Sequence, residues 1–212
     1  MPAVNTTKTK ILNAAELLFA QSGFAETSMR AITNKAGVNL AAVNYHFGSK
    51  KALTIAVLDR YMKQLMPELA SALSQIALHS KTPDVSEVFK SFVTPLIRLE
   101  SINKGGTVCF LNLLGRGYIE VQGHLKRYIL ETYEKELETI KQTLHSSCPF
   151  LTEEELFWRL HFTLGTSVFT LAASEALIGI SQADFGQPID TESILERILP
   201  YIGAGFSANL KS

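Results

Sequence analysis

Apolar residues recur every three or four positions along almost the whole chain, and no segment alternates with period two or carries an Asn-Gly hairpin signal. That spacing predicts helices throughout and no sheet. The first helix runs from about Thr7 to Ser22, with Ile11, Leu12, Ala15, Leu18 and Phe19 on one face and Gly23 as its stop. A second starts near Thr27 or Ser28, turns Met29, Ile32 and Ala36 inward and ends at Gly37. Asn39 then caps a third, with Val38 and Val43 spaced as a hydrophobic staple. A long helix follows from Ser49 to about Ile76; Pro67 lies inside it and predicts a kink or break near residues 63–67. Further helices are expected at about 84–101, 107–117, 120–146, 152–180 and 190–207, separated by Gly- and Pro-bearing joints such as "DFGQP" at 184–188.

Composition narrows the picture. With 212 residues, 46% of them hydrophobic, the chain has material for a substantial core, and only the first six residues and the last few read as frayed ends. The overall net charge of zero hides an asymmetry: residues 1–51 carry six Lys/Arg against two acids, net +4, and the remainder is net −4. A basic head on an acidic body favours an anionic partner for the head alone. The two cysteines, Cys109 and Cys148, have neither metal nor redox spacing, and the N-terminus lacks a signal-like apolar run, so the expected compartment is the reducing cytoplasm. The apolar stretch at 156–180 is interrupted by Arg159, His161 and Glu175, which favours a buried helix over a membrane span.

The segment "KAGVNLAAVNYHFGSKK", residues 35–51, carries the chemistry. At 100° per residue Val43 and Phe47 point to the core while Ala41 and Tyr45 point away, with Ala42 and Asn44 on the flanks and Leu40 at the edge. Two helices joined at Gly37, the second presenting small and hydrogen-bonding residues, form a helix-turn-helix. Ala41 or Ala42 suits a thymine methyl, and Asn44 suits a bidentate pair with adenine. Tyr45 and His46 suit phosphates. Lys50 and Lys51 follow a cap at Ser49, where the helix dipole disfavours cations, and Thr27, Ser28 and Arg30 open the second helix; both helix starts suit phosphate.

"TSMRAITNKAGVNLAAVNYHFGSKKAL" closely resembles the DNA-binding segment of TetR-type transcriptional regulators, over roughly residues 7–62. The resemblance implies DNA contacts from Thr27 and Ser28, from Leu40 to Tyr45, from His46 and from Lys50. The family usually carries Tyr where this chain has Asn44, so operator sequence does not carry over. The expected organisation is all-α: a three-helix helix-turn-helix domain at 1–51 and a larger helical ligand-binding and dimerisation domain at 52–212. "GHLKRYI", "ELFWRLHF" and "ADFG" are further similar to the PsrA-type group, whose effectors are long-chain fatty acids or their CoA thioesters.

The reading that follows is a cytoplasmic repressor, no enzyme and without cofactor or metal, that binds a near-palindromic double-stranded operator as a homodimer and is released by an acyl effector. Expected pocket residues are Phe92, Leu96, Phe110, Leu114, Tyr118 and Phe162, with Arg98 or Arg116 as head-group anchors. The helix at 152–180, apolar nearly all round, needs cover on more than one side. Phe157, His161, Leu164 and Val168 form one stripe on it, and Ile198 and Ile202 on the last helix form part of another, which together predict a dimer interface. A helical lipid carrier, or a regulator with an unrelated effector, are the competing readings. Against an enzyme, the five histidines match no metal spacing and no nucleophile elbow occurs.

Overall fold

A computed structural model describes residues 6–120, 123–186 and 188–209; the expected frayed ends largely, and Gln187 of the last turn, lie outside them. The described residues form twelve α-helices and a single 3-10 turn, with no strand among them. They divide into two compact units, Met1–Lys63 with Asn112–Thr132, and Gln64–Leu111 with Tyr133–Ser212. This division differs from a cut after residue 51: the first unit also takes the start of the long helix and a segment from the middle of the chain.

In the first unit, α1 (Thr7–Glu26) is capped by Thr6, whose hydroxyl accepts the Thr9 N–H, and its helical course is interrupted at Gly23. α2 (Met29–Ala36) and α3 (Leu40–Phe47) both pack on α1 and on each other. Ile11, Ala15, Phe19, Phe24, Ile32 and Val43 are buried here, and the Phe19 and Phe24 rings lie 4.9 Å apart. Each buried Ile, Phe or Val side chain among them contributes about 1.5–3 kcal/mol. Thr33 is buried on α2, whereas Met29 and Ala36 are half-buried. α4 (Lys50–His79) enters the same unit with Leu53, Val57, Leu58 and Tyr61 buried. Its Arg60 donates to Glu16 at 3.2 Å and to Asn13 on α1, and its Asp59 accepts the Tyr128 hydroxyl of α8 (His124–Thr132) at 2.7 Å.

Of the kink or break expected near residues 63–67, the break does not occur: α4 continues through Pro67, whose ring lies on the exposed side of the helix, where the lost hydrogen bond is tolerated. Other expected helices are subdivided. The stretch at 84–101 becomes α5 (Val85–Lys90), α6 (Val93–Ile97) and the 3-10 turn Arg98–Ser101; the ladder of the first tightens where the Phe92 N–H bonds the Phe89 carbonyl, and Pro95, which has no N–H, lies inside α6. α7 (Gly106–Glu120) and α8 precede α9 (Glu134–Ser147), which starts after Tyr133 leaves helical geometry at φ −117°, ψ 27°; the expected continuity across 120–146 also includes residues 121–122, outside the described ones. α10 (Glu153–Ala172) and α11 (Ser174–Phe185) meet at Ala173 with a bend of 69°, and no single helix among the described residues is long and apolar enough to cross a membrane.

The second unit's core joins α5 to α12 (Thr191–Ser207), α10 to α12 and α5 to α9. Leu73, Val88, Phe89, Leu144, Leu156, Ile198, Ile202 and Phe206 share it. Buried Arg159 on α10 donates to the carbonyls of Gly205 and Phe206, a cationic cap for the open C-terminal end of α12.

Candidate nucleic-acid interface

The turn between α2 and α3 is built by its caps. Ser28 Oγ accepts the Ala31 N–H at 3.1 Å to start α2. Gly37 ends it in the left-handed region, at φ 65° and ψ 38°, its N–H directed at the Asn34 and Thr33 carbonyls. Asn39 Oδ1 then accepts the Ala42 N–H at 2.8 Å and starts α3. A cap of this kind contributes roughly 1 kcal/mol, so two helices of eight residues, too short to persist alone, are fixed at both ends of the turn.

On α3 only Val43 is fully buried. Leu40, Ala41, Asn44 and Tyr45 are exposed, with Tyr45 86% accessible, while Ala42, His46 and Phe47 are half-buried. The outward face is thus a small methyl, an amide and a phenol, as the periodicity predicted. The His46 ring stands edge-on to Tyr45 at 5.2 Å, which orients the phenol. Lys8 of α1, which motif reasoning passed over, lies 5.9 Å over the Phe47 ring and adds a cation to this end of the helix.

At the start of α4, Ser49 Oγ accepts the Ala52 N–H as the expected cap. Lys50 Nζ donates to the Ala25 carbonyl at 3.1 Å, which leaves two of its protons for an anion. Lys51 is exposed; partial burial and the Lys51 charge together hold His124 below its ordinary pKa. Ser28 and Arg30 are exposed. Thr27 corrects an expectation: it is only 3% accessible, and its hydroxyl donates to the Gly23 carbonyl at 2.7 Å, so its side chain is a strut inside the head and not part of the exposed surface.

The expected pocket residues fall in both units. Leu114 and Tyr118 belong to the first unit, and Phe92, Leu96, Phe110 and Phe162 to the second. Phe110 is buried, Phe92 and Leu96 are half-buried, and Phe162 is 63% accessible on α10. Arg98 pairs with Glu68 at 3.1 Å, and Arg116 with Glu120 at 3.2 Å, so both proposed head-group anchors hold protein carboxylates. A cleft of about 500 Å³ lies elsewhere in the second unit, between Ser74 and Pro83 on one side and Thr139, Gln142, Thr143 and Ser146 on the other. The hydroxyls of Ser74, Thr139 and Thr143 donate to the carbonyls of their own helices.

Of the expected interface residues, Phe157 is exposed, and His161, Leu164 and Val168 are half-buried. The Phe157 ring lies 4.0 Å from His161 and 5.5 Å from Trp158, which in turn stacks on Phe162 at 6.0 Å. Ile198 and Ile202 are a correction: both are buried in the second unit's own core, because that side of α12 packs on α5 and α10. Tyr201, 70% accessible, is the large apolar side chain that α12 leaves outside.

Comparison with known proteins bears on the same residues. Residues 11–57 match the family model for bacterial regulatory proteins of the tetR family, and residues 90–205 match that for the tetracyclin repressor-like C-terminal domain. The chain is 36% identical over 75 residues to the probable HTH-type transcriptional regulator YttP of Bacillus subtilis, 35% of this chain and 36% of that one. It is 40% identical over 52 residues to the HTH-type transcriptional regulator UidR of Escherichia coli, 24% and 26% of the two chains. The matches therefore span 36% or less of these relatives' lengths. Among solved structures, a TetR-like transcriptional regulator from Rhodococcus sp. RHA1 superposes with a TM-score of 0.61 at 18% identity, over 99% of this chain and 100% of that one. A mutant of HlyIIR gives 0.63 at 17% identity, over the same shares, and the likeness of both lies in the fold.

Proposed function

Because the chain belongs to the tetR family, whose members are DNA-binding regulators and not enzymes, we propose that it is a cytoplasmic transcriptional regulator that reads an operator with the outer face of α3. The observation that carries this is the exposed Leu40, Ala41, Asn44 and Tyr45 surface, held by the caps at Asn39 and Gly37. A rigid helix with a small-residue face approaches base edges closely, and each good base pair contact discriminates by about 1–3 kcal/mol. Ala41 and Ala42 meet thymine methyls and Asn44 pairs with adenine. Ser28, Arg30, Tyr45, His46 and Lys50 hold phosphates, and those contacts supply affinity without sequence information.

The active species is a homodimer, formed through Phe157, His161, Leu164 and Val168 of α10 with Tyr201 of α12. Aromatic side chains left in water on one helix face support this reading, since a second copy would cover them. Two recognition helices related by a two-fold then require a near-palindromic operator with half-sites about one turn apart. The effector is a long-chain fatty acid or its CoA thioester, the protein acts as a repressor, and the ligand binds the released form more tightly than the operator-bound one. The resemblance to the PsrA-type group and the apolar side chains Phe92, Leu96 and Phe110 of the second unit support it.

The test selects duplexes from a random pool with the purified protein, then titrates the winning duplex at several salt concentrations with and without a long-chain acyl-CoA. Salt-sensitive binding abolished by the acyl-CoA is the expected result. Selective binding indifferent to acyl-CoA removes the effector and keeps the regulator, and no selected duplex leaves the carrier reading in its place.

A further inference from the structure

The interruption of α1 at Gly23 leaves backbone groups without helical partners, and side chains from distant parts of the first unit take them up. Arg116 Nη2 donates to the Gln21 carbonyl at 3.2 Å. Glu120 Oε2 accepts the Ala25 N–H at 3.0 Å, and the Phe24 N–H is directed at the same carboxylate. The Thr27 hydroxyl takes the Gly23 carbonyl and Lys50 takes that of Ala25. Gly23 is required for the approach: a methyl group on it would come within 2.5 Å of Glu120 Oε1 and 2.8 Å of Arg116 Nη1.

As an i, i+4 pair with partly exposed side chains, Arg116 and Glu120 contribute only about 0.3–0.5 kcal/mol to each other. Their larger effect is on the joint they hold. Residues 21–27 lead directly into the Ser28 cap of α2, and they also anchor Lys50 at the start of α4. One short segment therefore fixes the two helix starts that, on the reading above, grip phosphates. We propose that Arg116 and Glu120 are positioning residues for DNA binding: from the end of α7 they hold the Gly23–Thr27 joint in the arrangement that aligns α2 and Lys50 on the backbone, without touching DNA themselves.

This inference rests on the DNA-binding reading, and the experiment separates the two. Full-length wild type, E120Q, R116M and K50A are titrated at several salt concentrations against the duplex that wild type selects from a random pool, and amide hydrogen exchange at Ala25 is measured without DNA. E120Q and R116M are expected to fold, to bind about tenfold more weakly as the binding-competent arrangement falls to about a tenth of the population, and to keep the wild-type salt slope, while the Ala25 amide exchanges faster. K50A is expected to lose affinity with a slope shallower by about 1. Folded variants that bind like wild type, or a shallower slope for R116M that would make Arg116 a phosphate contact, overturn the inference. Should R116M fail to fold, E120Q, which keeps an acceptor oxygen and the side chain's shape, decides alone. A wild type that selects no duplex overturns the functional reading and the inference with it.

Discussion

Gly23 stands at φ 86° and ψ 168°, a region open essentially to glycine alone. Gly23→Ala is expected to destabilise the protein by about 1–3 kcal/mol in urea unfolding, since the new methyl meets both strained backbone and the Glu120 carboxylate. Glu120 also predicts a pH dependence. Partial burial raises its pKa, but hydrogen bonds from Ala25, Arg116 and Phe24 outweigh that and set it below the ordinary 4.5. A carboxylate depressed in the folded state adds stability that is complete above its unfolded value and disappears as pH falls through the folded one. The stability gap between wild type and E120Q should therefore be full at neutral pH and shrink on acidification below about 4.5, and a gap that widens there would refute the assignment. Gly23 as a helix stop was legible in the sequence, because glycine at the end of an apolar stripe is a local signal. Its partners were not legible: Arg116 and Glu120 lie 95 residues from Gln21 and Ala25, and no pattern marks them. Thr27 misled for a related reason, since a threonine at a helix start reads as an exposed cap until the fold turns it inward.

At the scale of elements, the helices that form the reading head follow from their ends. Ser28, Gly37 and Asn39 each make the local hydrogen bonds their side chains or backbone freedom imply: α2 begins after Ser28 and ends at Gly37, and α3 begins after its expected cap, Asn39. Asn39→Ala should cost about 1 kcal/mol and weaken DNA binding through fraying of α3, visible as faster amide exchange at Ala42. Long helices were harder to read. Neither Tyr133 nor Ala173 is a breaker by type, so the interruptions there arise from packing, which periodicity does not record. Pro67 is the converse case, a breaker by type inside a helix that continues. Because it lies exposed in an unbroken helix, Pro67→Ala is expected to stabilise the protein by about 1–2 kcal/mol in urea unfolding. A loss of stability would mean that the ring is part of the packing, and a loss of ligand-induced release would make it a hinge.

For the molecule as a whole, the all-helical class was legible because a single period dominates the chain, whereas the grouping of residues 112–132 with the N-terminal head was not, since it depends on contacts remote in sequence. The aromatic side chains that α10 leaves exposed lead to a prediction about assembly: Phe157→Glu should shift sedimentation from dimer to monomer and weaken binding to a two-half-site duplex far more than to a single half-site. A monomeric wild type would remove the palindromic operator from the account. The central claim, that the capped α3 and its neighbouring helix starts grip DNA, is tested most directly by the affinity of wild type and K50A for the selected duplex across a range of salt concentrations. The account predicts that log K falls linearly with log salt, and that removing the Lys50 contact lowers affinity and makes the slope shallower by about 1. Binding that is indifferent to salt, or a K50A variant with unchanged affinity and slope, would contradict it.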